Sequence, residues 1–209
     1  MNGIIEDSCI IEASRRWVET AVIGLGLCPF AASVYRSGRV RFVVSVQRSA
    51  VALVEELREE LLHLQRTAPA ECETTLLIHP WVLTDFIEFN EFLQTCEDTV
   101  RELGLEGDLQ VASFHPQYQF AGTLPADIEN FTNRSPYPML HILREASVEV
   151  ALRGLADPAA IYRENIAKMR VLGAAGWEAL WAIAPLSPKC GRAQHRHRGV
   201  DDDNDDQPP

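Results

Sequence analysis

Apolar positions along this chain recur with two periods, and the switches between them outline helices separated by short strands. Ile10, Ala13, Trp17 and Ala21 keep helical spacing, and Gly24 and Gly26 stop this first helix. Residues 39–46 form a compact β-branched run after Gly38, a first strand. Ser49 is placed to cap the next helix, whose apolar stripe is Ala50, Leu53, Val54, Leu57, Leu61 and Leu64. Glu55, Glu56, Arg58, Glu59 and Glu60 are expected to face water, and Pro69 marks the end. Thr74 to Ile78 reads as a second strand, and Thr84 or Asp85 caps a third helix with the stripe Phe86, Phe89, Leu93, Cys96, Val100 and Leu103. That stripe makes Cys96 a buried, inert thiol. Past Gly104 and Gly107, Leu109 to Phe114 reads as a third strand.

Each connection between strands holds a helix of about five turns, long enough for a right-handed crossover between parallel neighbours. The expected fold is therefore α/β: a short, mostly parallel sheet of three or four strands, built on a β-α-β-α-β core, with an N-terminal helix and C-terminal helices. Pro116 to Tyr137 has no sustained period and is rich in Pro, Gly, Asn and Gln; a loop of this length in a compact domain is more often a lid or binding loop than a connector. A helix is expected from Ser135-Pro136 or Tyr137-Pro138 to about Leu152, with Met139, Leu143, Ala146 and Val150 as its stripe. Asp157-Pro158 caps another through Leu172, and Trp177 and Trp181 lie in a last helix or strand. Residues 1–187 are read as one domain, and 188–209, a His/Arg stretch followed by an Asp-rich run, as a disordered tail.

Charge and cysteine usage narrow the class. A net charge of −11, with arginines dispersed among acidic residues, opposes binding to a phosphate backbone. No leader or membrane-crossing run is apparent, so a cytoplasmic location and a small-molecule partner are expected, with neither nucleic acid nor membrane. Cys9, Cys28, Cys72, Cys96 and Cys190 are scattered and odd in number, which predicts reduced thiols rather than a disulfide scaffold or zinc ribbon. Oligomeric state is not encoded in any pattern of this kind.

Two strands end alike, in an apolar residue followed by His-Pro: Ile78-His79-Pro80 and Phe114-His115-Pro116. Parallel strands bring both imidazoles to the carboxyl edge of the sheet, where open α/β folds place their ligands. Their backbones would stand about 5 Å apart if the strands are adjacent, or twice that with one strand between. Three occupations follow from the chemistry. The rings could polarise a polar ligand or exchange protons with it, since imidazole changes charge near neutrality. They could share a divalent metal with Asp85, Glu145 or His141 as a further donor. They could instead simply end their strands, with each proline stopping the ladder.

Three more groups carry candidate chemistry. Arg134 and Ser135 would form an anion cradle if Ser135 opens a helix, with Tyr118, Asn133, His141 and Arg144 as further ligand-binding residues; an ordinary capped helix start is the plain alternative. His141 and Glu145, one helical turn apart, could pair on the surface. Cys28 precedes Pro29 in the manner of a thiol at a helix N-terminus, which makes a one-cysteine nucleophile with His79 or His115 as its base a third candidate. A small buried cysteine is the commoner outcome.

The stretch Ser113-Phe114-His115-Pro116-x-Tyr118-Gln119-Phe120-Ala121, the run Asp127-x-x-Asn130-x-Thr132-Asn133-Arg134-Ser135-Pro136-Tyr137-Pro138-Met139-Leu140-His141-x-Leu143-Arg144-Glu145, and Gly26-Leu27-Cys28-Pro29-Phe30-Ala31 together resemble the bacterial family catalogued as domain of unknown function 1415. The resemblance spans roughly residues 8 to 185 and implies a family without implying a mechanism. The expectation is thus an enzyme acting on a small polar or anionic metabolite through a histidine-lined pocket. A non-catalytic binding or accessory module and a thiol-dependent enzyme using Cys28 are the alternatives.

Overall fold

The computed structural model describes residues 7–153, 157 and 159–182, with residues 181 and 182 by backbone alone. The expected tail, 188–209, lies outside the described residues, as do Cys190 and the side chain of Trp181. A four-stranded sheet is flanked by helices on both faces, an α/β fold.

Local chemistry sets most of the elements. The first helix, α1 (Asp7–Trp17), continues into a π-helical segment, Val18–Ile23. At the end of that segment Gly24 passes so close to the chain that a Cβ there would collide with the Thr20 carbonyl oxygen. A short α2 (Ala31–Arg36) leads to β1 (Val40–Val44). Ser49 caps α3 (Ala50–Arg66), its hydroxyl accepting from the Ala52 amide. β2 is Thr74–Ile78, as the pattern predicts, and Asp85 caps α4 (Phe86–Glu102) by accepting from the Ile87 and Glu88 amides. β3 (Leu109–Phe114) also matches its expected bounds.

The chain departs from expectation after the long loop. Met139–Arg144 is a strand, β4, followed by α5 (Glu145–Leu152), where one continuous helix was expected. A short run apolar on both sides fits a helix stripe and a doubly buried strand equally well, and here the sheet claims it. The last helix, α6 (Ala159–Ala182), begins after Asp157 and bends at Gly173, whose φ of 65° interrupts the helix where Leu172 was expected to end it.

Strand order is β1-β2-β4-β3. β1 and β2 pair in parallel, while β4 pairs antiparallel with both β2 and β3. The three expected strands therefore run in one direction and end at one edge, but the intruding β4 makes the sheet mixed. Its register is continuous: Leu77 faces Leu140 across one pair, and Phe114 faces Met139 across the other.

Alternation assigns the two faces. Leu77, Leu140 and Ile142 pack with Leu53, Leu57 and Leu61 of α3 and Phe89 and Cys96 of α4. Leu76, Ile78 and Met139 pack with Ile10 and Trp17 of α1 and with Met169 and Trp177 of α6. Leu53, Leu57, Leu61, Leu77 and Phe89 are fully enclosed, and burying such side chains contributes about 1.5–3 kcal/mol each. Burial pushes the Cys96 thiol up to about 12, so it is inert as expected. Glu60, expected to face water, is buried, because its carboxylate receives two hydrogen bonds from the Arg41 guanidinium of β1, at 2.8 and 2.9 Å. Cys28, Cys72 and Cys96 are free thiols, whereas Cys9 is disulfide-bonded, against the expectation of reduced cysteines throughout. No helix among the described residues is long and apolar enough to cross a membrane.

Candidate functional site

The carboxyl edge of the sheet repeats one geometry three times. The residue after each parallel strand is Ser45, His79 and His115, and all three are 0% exposed. Continuing the alternation past Val44, Ile78 and Phe114 puts all three side chains on the α3/α4 face. Because β4 lies between β2 and β3, the backbones at His79 and His115 stand about two strand spacings, ~10 Å, apart. Their rings nonetheless touch a common neighbour. The Phe89 ring lies 5.5 Å from the His79 ring and 5.1 Å from the His115 ring, centroid to centroid. The imidazoles thus lie closer together than the roughly 12 Å beyond which two residues cannot serve one small ligand.

Hydrogen bonds fix their tautomers. His79 Nδ1 lies 2.9 Å from the Val82 carbonyl, which only accepts, so Nδ1 carries the proton and Nε2 keeps its lone pair. His115 Nδ1 accepts from the Gln117 amide at 3.0 Å, so in the neutral ring Nε2 carries the proton. Both Nε2 atoms are buried without a hydrogen-bond partner among the described residues. His115 Nε2 does face the Leu83 and Thr84 carbonyls, with no well-formed bond to either. Burial pulls both rings down to about 4, the carbonyls and the Asp85 carboxylate opposing this at His115, so each is neutral at pH 7.

Two loops pack around the histidines. Between β2 and α4, Leu83 holds a left-handed φ of 55°, a conformation a leucine adopts only at a cost of about 1–2 kcal/mol. Strain of this kind concentrates at functional sites, and here it turns the Leu83 carbonyl toward His115. The long loop after β3 packs on the other side and is internally tied. Buried Asn130 accepts from the Phe120 amide and the Thr123 hydroxyl and donates to the Leu124 carbonyl, all at 2.7–2.9 Å. A 3₁₀ turn, Ile128–Asn133, docks on α6 through Phe131 against Trp177, and Trp17 Nε1 donates to the Arg134 carbonyl at 2.8 Å. The Tyr118 ring packs at a tilt against Phe86, which in turn packs at a tilt against His115, and Tyr118 hydrogen-bonds the Asn133 side chain. The His115 amide donates to the Asn133 carbonyl at 3.3 Å.

The edge therefore unites His79, His115, Tyr118 and Asn133 of the candidate residues. Arg134 borders it with a guanidinium already engaged, lying 4.0 Å over the Phe131 ring and donating to the Pro125 and Tyr118 carbonyls. Ser135 opens no helix, since β4 follows, and its hydroxyl donates to the Tyr137 carbonyl at 2.6 Å. No helix N-terminus is therefore present at Ser135 to cradle an anion, contrary to the expectation. His141 is in mid-strand, paired with Leu76 and Ala112 on the opposite face, and its Nε2 donates to Thr74 Oγ1 at 2.7 Å. It cannot join the other histidines, nor does it form a helical pair with Glu145. Arg144 sits at the far edge, where its Nη2 meets the Leu64, Thr67 and Cys72 carbonyls at 2.7, 2.6 and 3.1 Å, closing the C-terminal end of α3. Cys28 lies in the turn before α2, whose cap is Phe30, so Pro29 is outside that helix and Cys28 is not at its N-terminus, contrary to the expectation. Among the described residues no group of three or more His, Cys, Asp or Glu side chains is arranged to hold a metal ion, so the metal reading retains His79 and His115 without a third donor.

Ser45 escaped the sequence reading. Its hydroxyl donates to the Glu56 carboxylate of α3 and accepts from the Gln47 amide at 3.2 Å, while its amide donates to the Ile78 carbonyl at 2.7 Å. Its position one residue beyond β1, matching His79 and His115, was the available signal.

A family model described as protein of unknown function (DUF1415) matches residues 9–179. The chain belongs to this family. The match runs from α1 into α6 and includes every residue of the edge just described. No curated protein and no solved structure shows a match.

Proposed function

We propose that the carboxyl edge binds a small polar metabolite and that His79 and His115 act on it as a neutral acid–base pair. The observation that carries this reading is the buried His79 Nε2 without a partner, beside a His115 Nε2 that faces the Leu83 and Thr84 carbonyls without a well-formed bond to either. A buried polar atom left unsatisfied costs about 1–3 kcal/mol, which a ligand group meeting these nitrogens would recover. His79 Nε2 supplies a lone pair for a proton, and His115 Nε2–H supplies one, so proton exchange needs no prior change of charge. Tyr118 and Asn133 orient the ligand from the loop side, and Phe86 and Phe89 keep water out.

Both rings are enclosed, so entry requires the loop after β3 to lift. A binding module would use the same residues without turnover, and this is the competing class. Wild-type protein, His79→Phe and His115→Phe should be purified without chelator and their retained metabolites identified by mass spectrometry. A compound held stoichiometrically by wild type, lost from both variants and converted on incubation supports the enzyme reading; one returned unchanged supports the binding module. A compound held equally by all three folded proteins removes the site.

A further inference from the structure

His115 holds both ends of the long loop. Its Nδ1 accepts from the Gln117 amide at 3.0 Å and its carbonyl accepts from the Tyr118 amide at 3.1 Å, so the entry of the loop turns around this one residue. Its own amide donates to the Asn133 carbonyl at 3.3 Å, which ties in the exit. Of these bonds, only the first depends on a titratable atom. We propose that His115 is a proton-operated latch: a second proton on the ring takes the Nδ1 lone pair, sets one N–H against another at Gln117, and parts residues 116–120 from the sheet.

The tautomer leaves the incoming proton one place to go. Nε2 already carries the proton of the neutral ring and faces the Leu83 and Thr84 carbonyls, so only Nδ1 is open to it. An imidazolium donates from both nitrogens and accepts at neither. Other contacts keep the exit of the loop in place, Phe131 against Trp177 and Trp17 Nε1 to the Arg134 carbonyl. Release is therefore confined to the entry, where Tyr118 leaves Phe86 and water reaches the ring. The groups around the ring set the range over which the latch works. From the loop between β2 and α4, the Leu83 and Thr84 carbonyls and the Asp85 carboxylate favour a charged ring. His79, at the end of β2, opposes it. Phe86 and Phe89 of α4 carry no charge, and burial raises the Tyr118 phenol, which stays neutral. Burial outweighs the favourable groups and holds the closed ring at about 4, whereas a ring opened to water titrates near 6.5. Closure is thus fully favoured above the open-ring value and is lost as pH falls toward the closed one. The latch acts whether or not this edge takes a ligand.

The test is amide hydrogen exchange in the ¹⁵N-labelled full chain, followed by NMR from pH 7.5 to 5.5 and corrected for the intrinsic pH dependence of exchange. Protection of the Gln117 and Tyr118 amides should fall about tenfold over this range, the loss expected when opening takes up one proton. In His115→Asn the side-chain oxygen stands in for Nδ1, accepting from the amide two residues on, and does not titrate. There the two amides should stay protected with no loss on acidification. His141→Gln should keep the tenfold loss, because His141 lies in mid-strand on the opposite face. No loss in wild type, an equal loss in His115→Asn, or a loss only in step with the amides of β2 and β4, which report global unfolding, overturns the latch. The wild-type comparison between loop and sheet decides the matter even if His115→Asn fails to fold.

Discussion

Acidification from pH 7.5 to 5 should destabilise this protein through three histidines, before the carboxylates titrate. His79, His115 and His141 each have a folded-state pKa pushed down to about 4, by burial first in every case. In the unfolded chain an imidazole titrates near 6.5. The folded state therefore binds fewer protons between about 4 and 6.5, and stability is fully present above the unfolded value and is lost as pH falls toward the folded one. At pH 5 an unfolded histidine is almost wholly protonated and a folded one almost wholly neutral, which amounts to about 2 kcal/mol per residue. Three such groups give about 6 kcal/mol, comparable with the whole stability of an ordinary domain. The assay is urea unfolding at half-unit pH steps, with proton uptake taken from the slope of unfolding free energy against pH. Near pH 5.25 that slope should approach 4 kcal/mol per pH unit, corresponding to nearly three protons. His141→Gln should remove about one of them. A slope equivalent to less than one proton, or one unchanged by His141→Gln, refutes the claim that the folded chain holds these rings neutral.

Other perturbations test single contacts. Asn130→Ala removes three hydrogen bonds inside the long loop and leaves the Phe120 amide without its acceptor, so it should cost about 2–3 kcal/mol and speed limited proteolysis between residues 116 and 134. Gly24→Ala would ordinarily be neutral or favourable at its right-handed φ of −62°, but the Thr20 carbonyl blocks the new methyl; a loss of about 1–3 kcal/mol in chemical unfolding is expected, and a gain would show that the π-helical segment relaxes freely. Asp85→Ala should cost about 1 kcal/mol through the lost α4 cap and, by removing a carboxylate that favours charge on His115, move that ring's titration further down, as followed by NMR.

The local order of the chain was legible where one signal dominated. Thr74–Ile78 and Leu109–Phe114 are bounded by turn residues and contain nothing that competes with a strand. Ser49 and Asp85 stand immediately before amphipathic stripes and cap the helices those stripes predict. Met139–Arg144 was misread because its apolar spacing satisfies both periods, and only the open slot between β2 and β3 selects the strand. Glu60 was misread because a carboxylate on a helix reads as solvent-facing until its partner, Arg41, is known to lie on the neighbouring strand.

The sequence by itself determined that His79 and His115 end two strands of like direction, and that a long, poorly periodic loop follows the second. Those are consequences of local periodicity and of proline placement, which act within a few residues. Tertiary structure decided the rest: β4 separating the two strands, His141 on the opposite face, Arg144 closing α3 at the far edge, and Ser45 completing the row with the histidines. It also decided the tautomers, because the Val82 carbonyl and the Gln117 amide choose which nitrogen of each ring keeps its proton. Strand order and the partners of a buried polar atom depend on contacts between distant segments, and no local pattern carries that information.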